Sequence, residues 1–201
     1  MDMILQYGLL NGFLEVLGTQ ALHEVLPSQQ TSQIVRGNEL ILKDSLPAYF
    51  FSDMNEAMIA RYGSAAAQGI AHVAGRLAFQ SYKDDIPVLV ECGKLENRLL
   101  PFAEKITATL RVFLKMLRDQ EIADIVVVRN VVHNNWSLEG PVLPTNAPFI
   151  QVGEQHSFMG ILESLLEWMD SRHAFQVVQK EATSSPQQHN LAFLISVTSF
   201  D

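Results

Sequence analysis

This sequence is poor in cysteine, in basic clusters and in long apolar runs, and each shortage removes a class of function. Its 201 residues include one cysteine, Cys92. A single thiol excludes an internal disulfide framework and any multi-cysteine metal site within one chain. It fits a reducing compartment. Asp and Glu outnumber Lys and Arg by 22 to 14, for a net charge of -8. A nucleic-acid-binding surface would instead cluster Lys and Arg on one face. Arg111, Lys115 and Arg118 come nearest, and they read as the solvated face of a helix. No uninterrupted apolar stretch approaches the ~20 residues of a membrane span. The N-terminus is apolar, but it carries Asp2 and Glu15 and lacks the basic region and cleavage site of a signal peptide. The expectation is a soluble, cytoplasmic protein with no nucleic-acid partner.

Catalytic and metal signatures are equally scarce. There is no Gly-rich phosphate loop and no Gly-x-Ser-x-Gly elbow. Ser184, Ser185 and His189 fall in a polar loop, and Asp84-Asp85 reads as turn chemistry. Glu163 and Glu167 stand one helical turn apart and read as a solvated pair. The six histidines are His23, His72, His133, His156, His173 and His189. No two have the spacing that makes a ligand pair specific. No catalytic residue and no metal site is expected, and the chain reads as a binding module rather than an enzyme.

What the sequence does have is a stripe of small residues. Gly63, Ala67, Ala71 and Gly75 recur at every fourth position, about one helical turn. Glycine inside a helix costs about 1 kcal/mol against alanine, so close packing of another backbone is expected to offset the cost. The stripe therefore marks a helix-packing or dimer contact.

Around it, residues 3–26 read as a helix with a break at Gly18, ended by Pro27 and the polar run Ser28 to Gln33. IVRGNELIL reads as a short hairpin about Gly37-Asn38 or as irregular packing. Ser52 or Asp53 is placed to cap the next helix. That helix runs to Tyr62, breaks at Gly63 and resumes to Tyr82. Residues 83–97 look like a connection. An amphipathic helix follows over 99–120, its stripe built from Phe102, Ile106, Leu110, Phe113, Leu114 and Leu117. The β-branched run from 124 to 140 predicts a strand or a bent pair of strands turning at Asn134-Asn135. GPVLPTNAPF is a loop, 156–170 a helix, and HAFQVVQKEA and NLAFLISVTSF are two strands. The predicted fold class is α+β: helices on an antiparallel sheet, with an N-terminal helical extension. Residues 1–97 form the helical part and 98–201 an α+β module of ligand-binding type, together one compact unit.

The helix GILESLLEWM carries Gly160, Leu162, Leu165, Leu166 and Trp168. It resembles the Gly-x-Leu-x-x-Leu-Leu-x-Trp helix of the 4-vinyl reductase domain, a small ligand-binding module of bacteria and archaea. FQVVQKEA resembles that family's strand ending in a Glu-Cys-x-Ala type signature, and LAFLIS its closing strand. LLNGFLEVLGTQALHEVL and IARYGSAAAQGIAHVAGRLAF are similar to the helical extension of such proteins. The cysteines that bind zinc in the family are missing from LPTNAP and KEATSSPQQHNLAF. The wider fold group includes haem-based nitric-oxide sensor domains and vesicle-tethering subunits. The resemblance implies a hydrophobic cavity between helices and sheet, and no reductase activity is carried over.

The expected function is non-enzymatic binding or sensing of a small hydrophobic molecule, with a downstream partner protein unnamed. The alternative is an assembly protein acting as a homodimer without ligand. The pocket is expected to be lined by Phe102, Phe113, Trp136, Phe158, Leu162 and Trp168, with Arg76 placed to meet an anionic head. A haem would need an axial His, Cys, Met or Tyr. His72, the nearest candidate, reads as a polar face residue. No cofactor is expected, neither zinc nor haem.

Overall fold

Helix α1 (Asp2–Val25) bends at Gly18, which takes φ 74°, and a second glycine does the same work at the next long helical segment. There α2 (Phe50–Tyr62) and α3 (Ser64–Tyr82) are separated by Gly63 at φ 82°. Both values lie in the left-handed region that glycine enters without a Cβ penalty. The computed structural model describes residues 2–26, 35–36, 39–40, 46, 50–132, 134–142, 155–180 and 190–199. The helix stop at 27–33, residues 143–149 of the proline loop, the polar loop at 183–189, His133 and His189 lie outside the described residues.

Contacts group the chain into two units, Met1–Tyr82 with Pro148–Ile161, and Lys83–Ala147 with Leu162–Asp201. The first unit is helical. Besides α1, α2 and α3 it holds a minimal antiparallel pair, β1 (Val35–Arg36) with β2 (Glu39–Leu40). It also contains residues 155–161 of a later helix, α7 (Gln155–Met169). Leu9, Leu10, Phe13, Phe50, Phe51, Met54, Met58 and Phe79 fill its core. Phe13 stacks on Phe51 with ring centroids 6.5 Å apart. Buried Gln6 accepts the Leu46 N–H at 2.8 Å.

Small residues set the spacing of these helices. A Cβ on Gly12 would sit 2.1 Å from the Ala74 carbonyl oxygen, so α1 and α3 meet backbone to backbone. On the α7 side, a Cβ on Gly75 would sit 1.9 Å from the Ser157 oxygen, and one on Gly160 would sit 2.0 Å from the His72 oxygen. Ala67 and Ala71 are buried beside them. These three stripe residues are thus packed within one chain. Gly63 differs, since a Cβ there would meet nothing within 4 Å and its part is the bend. Gly69 also faces open space but at an ordinary helical φ. Gly69→Ala is therefore expected to raise stability by about 0.5–1 kcal/mol, seen as a higher urea midpoint. An unchanged or lower midpoint would contradict it.

The second unit is α+β. Its helices are α4 (Pro87–Cys92), α5 (Leu95–Arg98), α6 (Phe102–Asp119) and residues 162–169 of α7. The strands are β3 (Val126–Asn130), β4 (Asn135–Pro141), β5 (His173–Gln179) and β6 (Asn190–Ser199). They form one antiparallel sheet in the order β3-β4-β6-β5. Register places Trp136 opposite Ile195 and Ile195 opposite Val177, and puts Leu138 opposite Phe193. All five are buried, which makes one continuous apolar face. Helix α6 lies on that face, and the Trp136 indole donates to Thr107 Oγ1 at 2.9 Å. On edge strand β3, Val126 and Val128 are exposed.

Three local expectations are corrected. Helix α2 starts at Phe50, so Ser52 and Asp53 lie inside its first turn and not at the cap. Residues 83–97 are no mere connection. Pro87 occupies the first turn of α4, where its missing N–H costs nothing, and α5 follows. Glu163 is buried rather than solvated, and its Oε1 accepts the Val177 N–H at 3.0 Å.

Candidate functional site

The larger cavity described lies in the second unit and has a volume of about 280 Å³. Val88, Glu91 and Cys92 of α4 form one wall, and Lys105, Ala108, Thr109 and Val112 of α6 form the opposite one. Asn97, Leu100 and Met169 complete it. The i, i+3, i+4, i+7 spacing of the α6 residues puts them on one helical face.

Lys105 is the cavity's buried charge. It is 5% exposed, and its Nζ donates to Asp170 Oδ2 at 2.8 Å. Asp170 follows directly on the last residue of α7 and is itself buried. Arg172 binds both of its oxygens, through Nη2 at 3.0 Å and Nε at 3.1 Å. The Arg172 backbone N–H reaches Oδ1 at 3.2 Å, and His173 Nδ1 lies 3.3 Å from the same atom. Arg172 above all, then Lys105 and His173, hold the Asp170 carboxyl far below the usual carboxylate range, against the opposing effect of burial. The Cys92 thiol is pushed up by burial and by Glu91, so it stays protonated at neutral pH.

In the first unit, His156 of α7 responds to burial and to His72 of α3. Burial and then the His72 ring push the His156 pKa down, which keeps that imidazole neutral at pH 7. The His72 Nε2 is closed to solvent. A second void of about 10 Å³ lies nearby, bordered by Ala71 and Ser157. Burial pushes the Tyr82 hydroxyl up. Among the described residues, no group of three or more His, Cys, Asp or Glu is arranged to hold a metal ion.

The residues expected to line a pocket have other places. Phe102 packs edge-on to Trp136 at 6.1 Å, with His173 at 4.2 Å and Phe175 at 6.3 Å. Phe113 and Leu162 are fully buried, as is Phe158 in the first unit. Trp168 is half-buried under the Arg98 guanidinium, 5.1 Å from its ring, and Arg76 is half-buried on α3. None of the seven lines either cavity described. Sequence reasoning missed Lys105, Asp170 and Cys92 as a group. The apolar face of α6 did contain a signal, because Lys105 interrupts it next to Ile106.

No family model matches the chain, and no curated protein matches it. Solved structures do match. One described as probing haem distortion in the H-NOX family aligns with a TM-score of 0.65 at 11% identity, over 98% of this chain and 94% of that one. An oxygen-binding H-NOX domain related to soluble guanylate cyclases gives 0.61 at 10%, over 99% and 96%. An H-NOX mutant from T. tengcongensis gives 0.62 at 10%, over 95% and 94%. The shared feature is the fold, in the same fold group that the sequence resemblance implied. The expectation of no cofactor, and against haem in particular, is corrected here. The matching structures are H-NOX domains, two of them described through their haem. That expectation rests on local motifs, and at 8–12% identity a fold outlasts them.

Proposed function

From this fold, we propose that the chain is a small-molecule sensor module and that haem is its ligand group. The observation that supports the reading most is the end-to-end alignment with H-NOX domains. Among the described residues, no helix is long and apolar enough to cross a membrane.

The residues fit haem iron by donor type. The iron takes an axial His, Cys, Met or Tyr, and imidazole ligates in its neutral form. His156 is kept in that form, and the His72 Nε2 is shielded from water. These two are the donors the first unit offers; neither lines a described cavity, and the void beside them, about 10 Å³, is too small for the macrocycle without rearrangement. When bound, haem supplies an iron atom that takes up a diatomic gas. The contact of Gly160 with the His72 carbonyl fixes the backbone that carries the His72 ring. Cys92 is the weaker donor because its thiol is held protonated. A homodimer would have to use a surface other than Ala67, Ala71 and Gly75, which are already buried in one chain.

Hemin titration read by Soret absorbance tests this. Stoichiometric uptake is expected, with loss in His72→Ala or His156→Ala. Absence of a Soret shift in the unaltered protein would overturn the haem reading. Uptake that survives both substitutions would overturn the two histidines as its holders.

A further inference from the structure

The cavity of the second unit has a chemistry of its own, separate from the histidines. Its walls are apolar at Val88, Leu100, Ala108, Val112 and Met169. One buried cation, Lys105, lies on the wall. An ammonium has three N–H donors, yet among the described residues Lys105 Nζ makes one hydrogen bond, to Asp170. Asp170 in turn is engaged on both oxygens by Arg172. Its charge is therefore shared, and Lys105 is only partly compensated. A buried ammonium with spare donors is costly unless an acceptor completes it.

We propose that the cavity between α4 and α6 binds a compact amphipathic carboxylate. The carboxylate meets Lys105, and the apolar part lies against Val88, Leu100, Ala108 and Val112. The volume of about 280 Å³ falls just under the ~300–1,000 Å³ of drug-sized ligand sites, so the ligand is small. The acidic group on the wall, Glu91, is turned to a salt bridge with Lys94. Asn97 is tied by its Nδ2 to the Glu91 carbonyl, and Thr109 Oγ1 donates to the Lys105 carbonyl. Lys105 is thus the one cation among the lining residues. Leu95 and Leu99 flank the lining residues Asn97 and Leu100 along the chain and are exposed, which leaves apolar surface beside them.

Calorimetric titration with octanoate, octanol and octylamine tests charge and shape together. Octanoate is expected to bind about tenfold tighter than octanol, equivalent to ~1.4 kcal/mol, and octylamine not at all. Val112→Trp fills the cavity without touching the ion pair, and it should abolish binding while the melting temperature holds. Lys105→Met should bring octanoate down to the level of octanol. Should that variant fail to fold, Val112→Trp and the three-ligand comparison still decide. Equal binding of octanoate and octylamine, octanoate binding untouched by Val112→Trp, or no octanoate binding at millimolar concentration would each overturn the proposal. The inference does not rest on haem binding. Hemin uptake is read by absorbance and octanoate by heat, so either can fail alone.

Discussion

Gly75→Leu is expected to cost the first unit its packing. A Cβ at position 75 would stand 1.9 Å from the Ser157 carbonyl oxygen, 2.7 Å from its carbon and 2.9 Å from its Cα. These are backbone atoms of a helix, so no rotamer change can clear them. Helices α3 and α7 would have to separate, and the neighbouring contact of Gly160 with the His72 carbonyl would open with them. Overpacking alone costs about 1–3 kcal/mol and sometimes more. For a chain of this size each 1 kcal/mol is worth roughly 2–4 °C. A fall of about 10 °C in melting temperature, or loss of soluble protein, is the expected result in a circular-dichroism melt. Gly69→Ala serves as the control, because it adds the same kind of atom to open space. A Gly75→Leu protein melting within about 2 °C of the unaltered chain would show that these helices do not touch as described.

Asp170→Asn should weaken the second unit comparably, and in a way that depends on pH. It leaves Lys105 buried without its counter-charge, a loss of about 3–5 kcal/mol in such pairs. The pH dependence follows from the depressed Asp170 carboxyl. A carboxylate with a folded value below its unfolded value, about 3.9 for Asp, stabilises the fold fully above the unfolded value. That contribution is lost as pH falls through the folded value. Urea melts of the two proteins should therefore differ most near neutrality and converge progressively below about pH 4. A gap that stays constant with pH would mean that packing, not charge, is what Asp170 provides.

Much of the architecture was legible because its signals are local. The period of Phe158, Ile161, Leu162 and Leu165 marks α7, and the alternation of Leu191, Phe193 and Ile195 marks β6. Gly18 and Gly63 mark the bends. The candidate site was less legible. Lys105 and Asp170 are 65 residues apart, and a charge seen alone reads as solvated. Glu163 misled for the same reason: its helix is buried on nearly every side, so a polar position there does not mean a wet one. The aromatics pose a different difficulty. Phe102 and Trp136 meet at 6.1 Å, and neither lines a cavity described. Pocket walls and packed cores share a composition, so residue type cannot separate them.

The strand order also divides the sheet by its cost of closure. Strands β3 and β4 are chain neighbours, whereas β4 and β6 join residue 136 to residue 195. Closing the longer loop costs more chain entropy before any contact compensates. The β3–β4 hairpin closes a short loop, while the central seam closes one that spans α7 and β5. Until that seam shuts, Trp136 and Leu138 have no partners on β6. The middle of the finished sheet is thus its costliest part to close, and a chain with that seam open presents strand edges that can pair with a copy of itself.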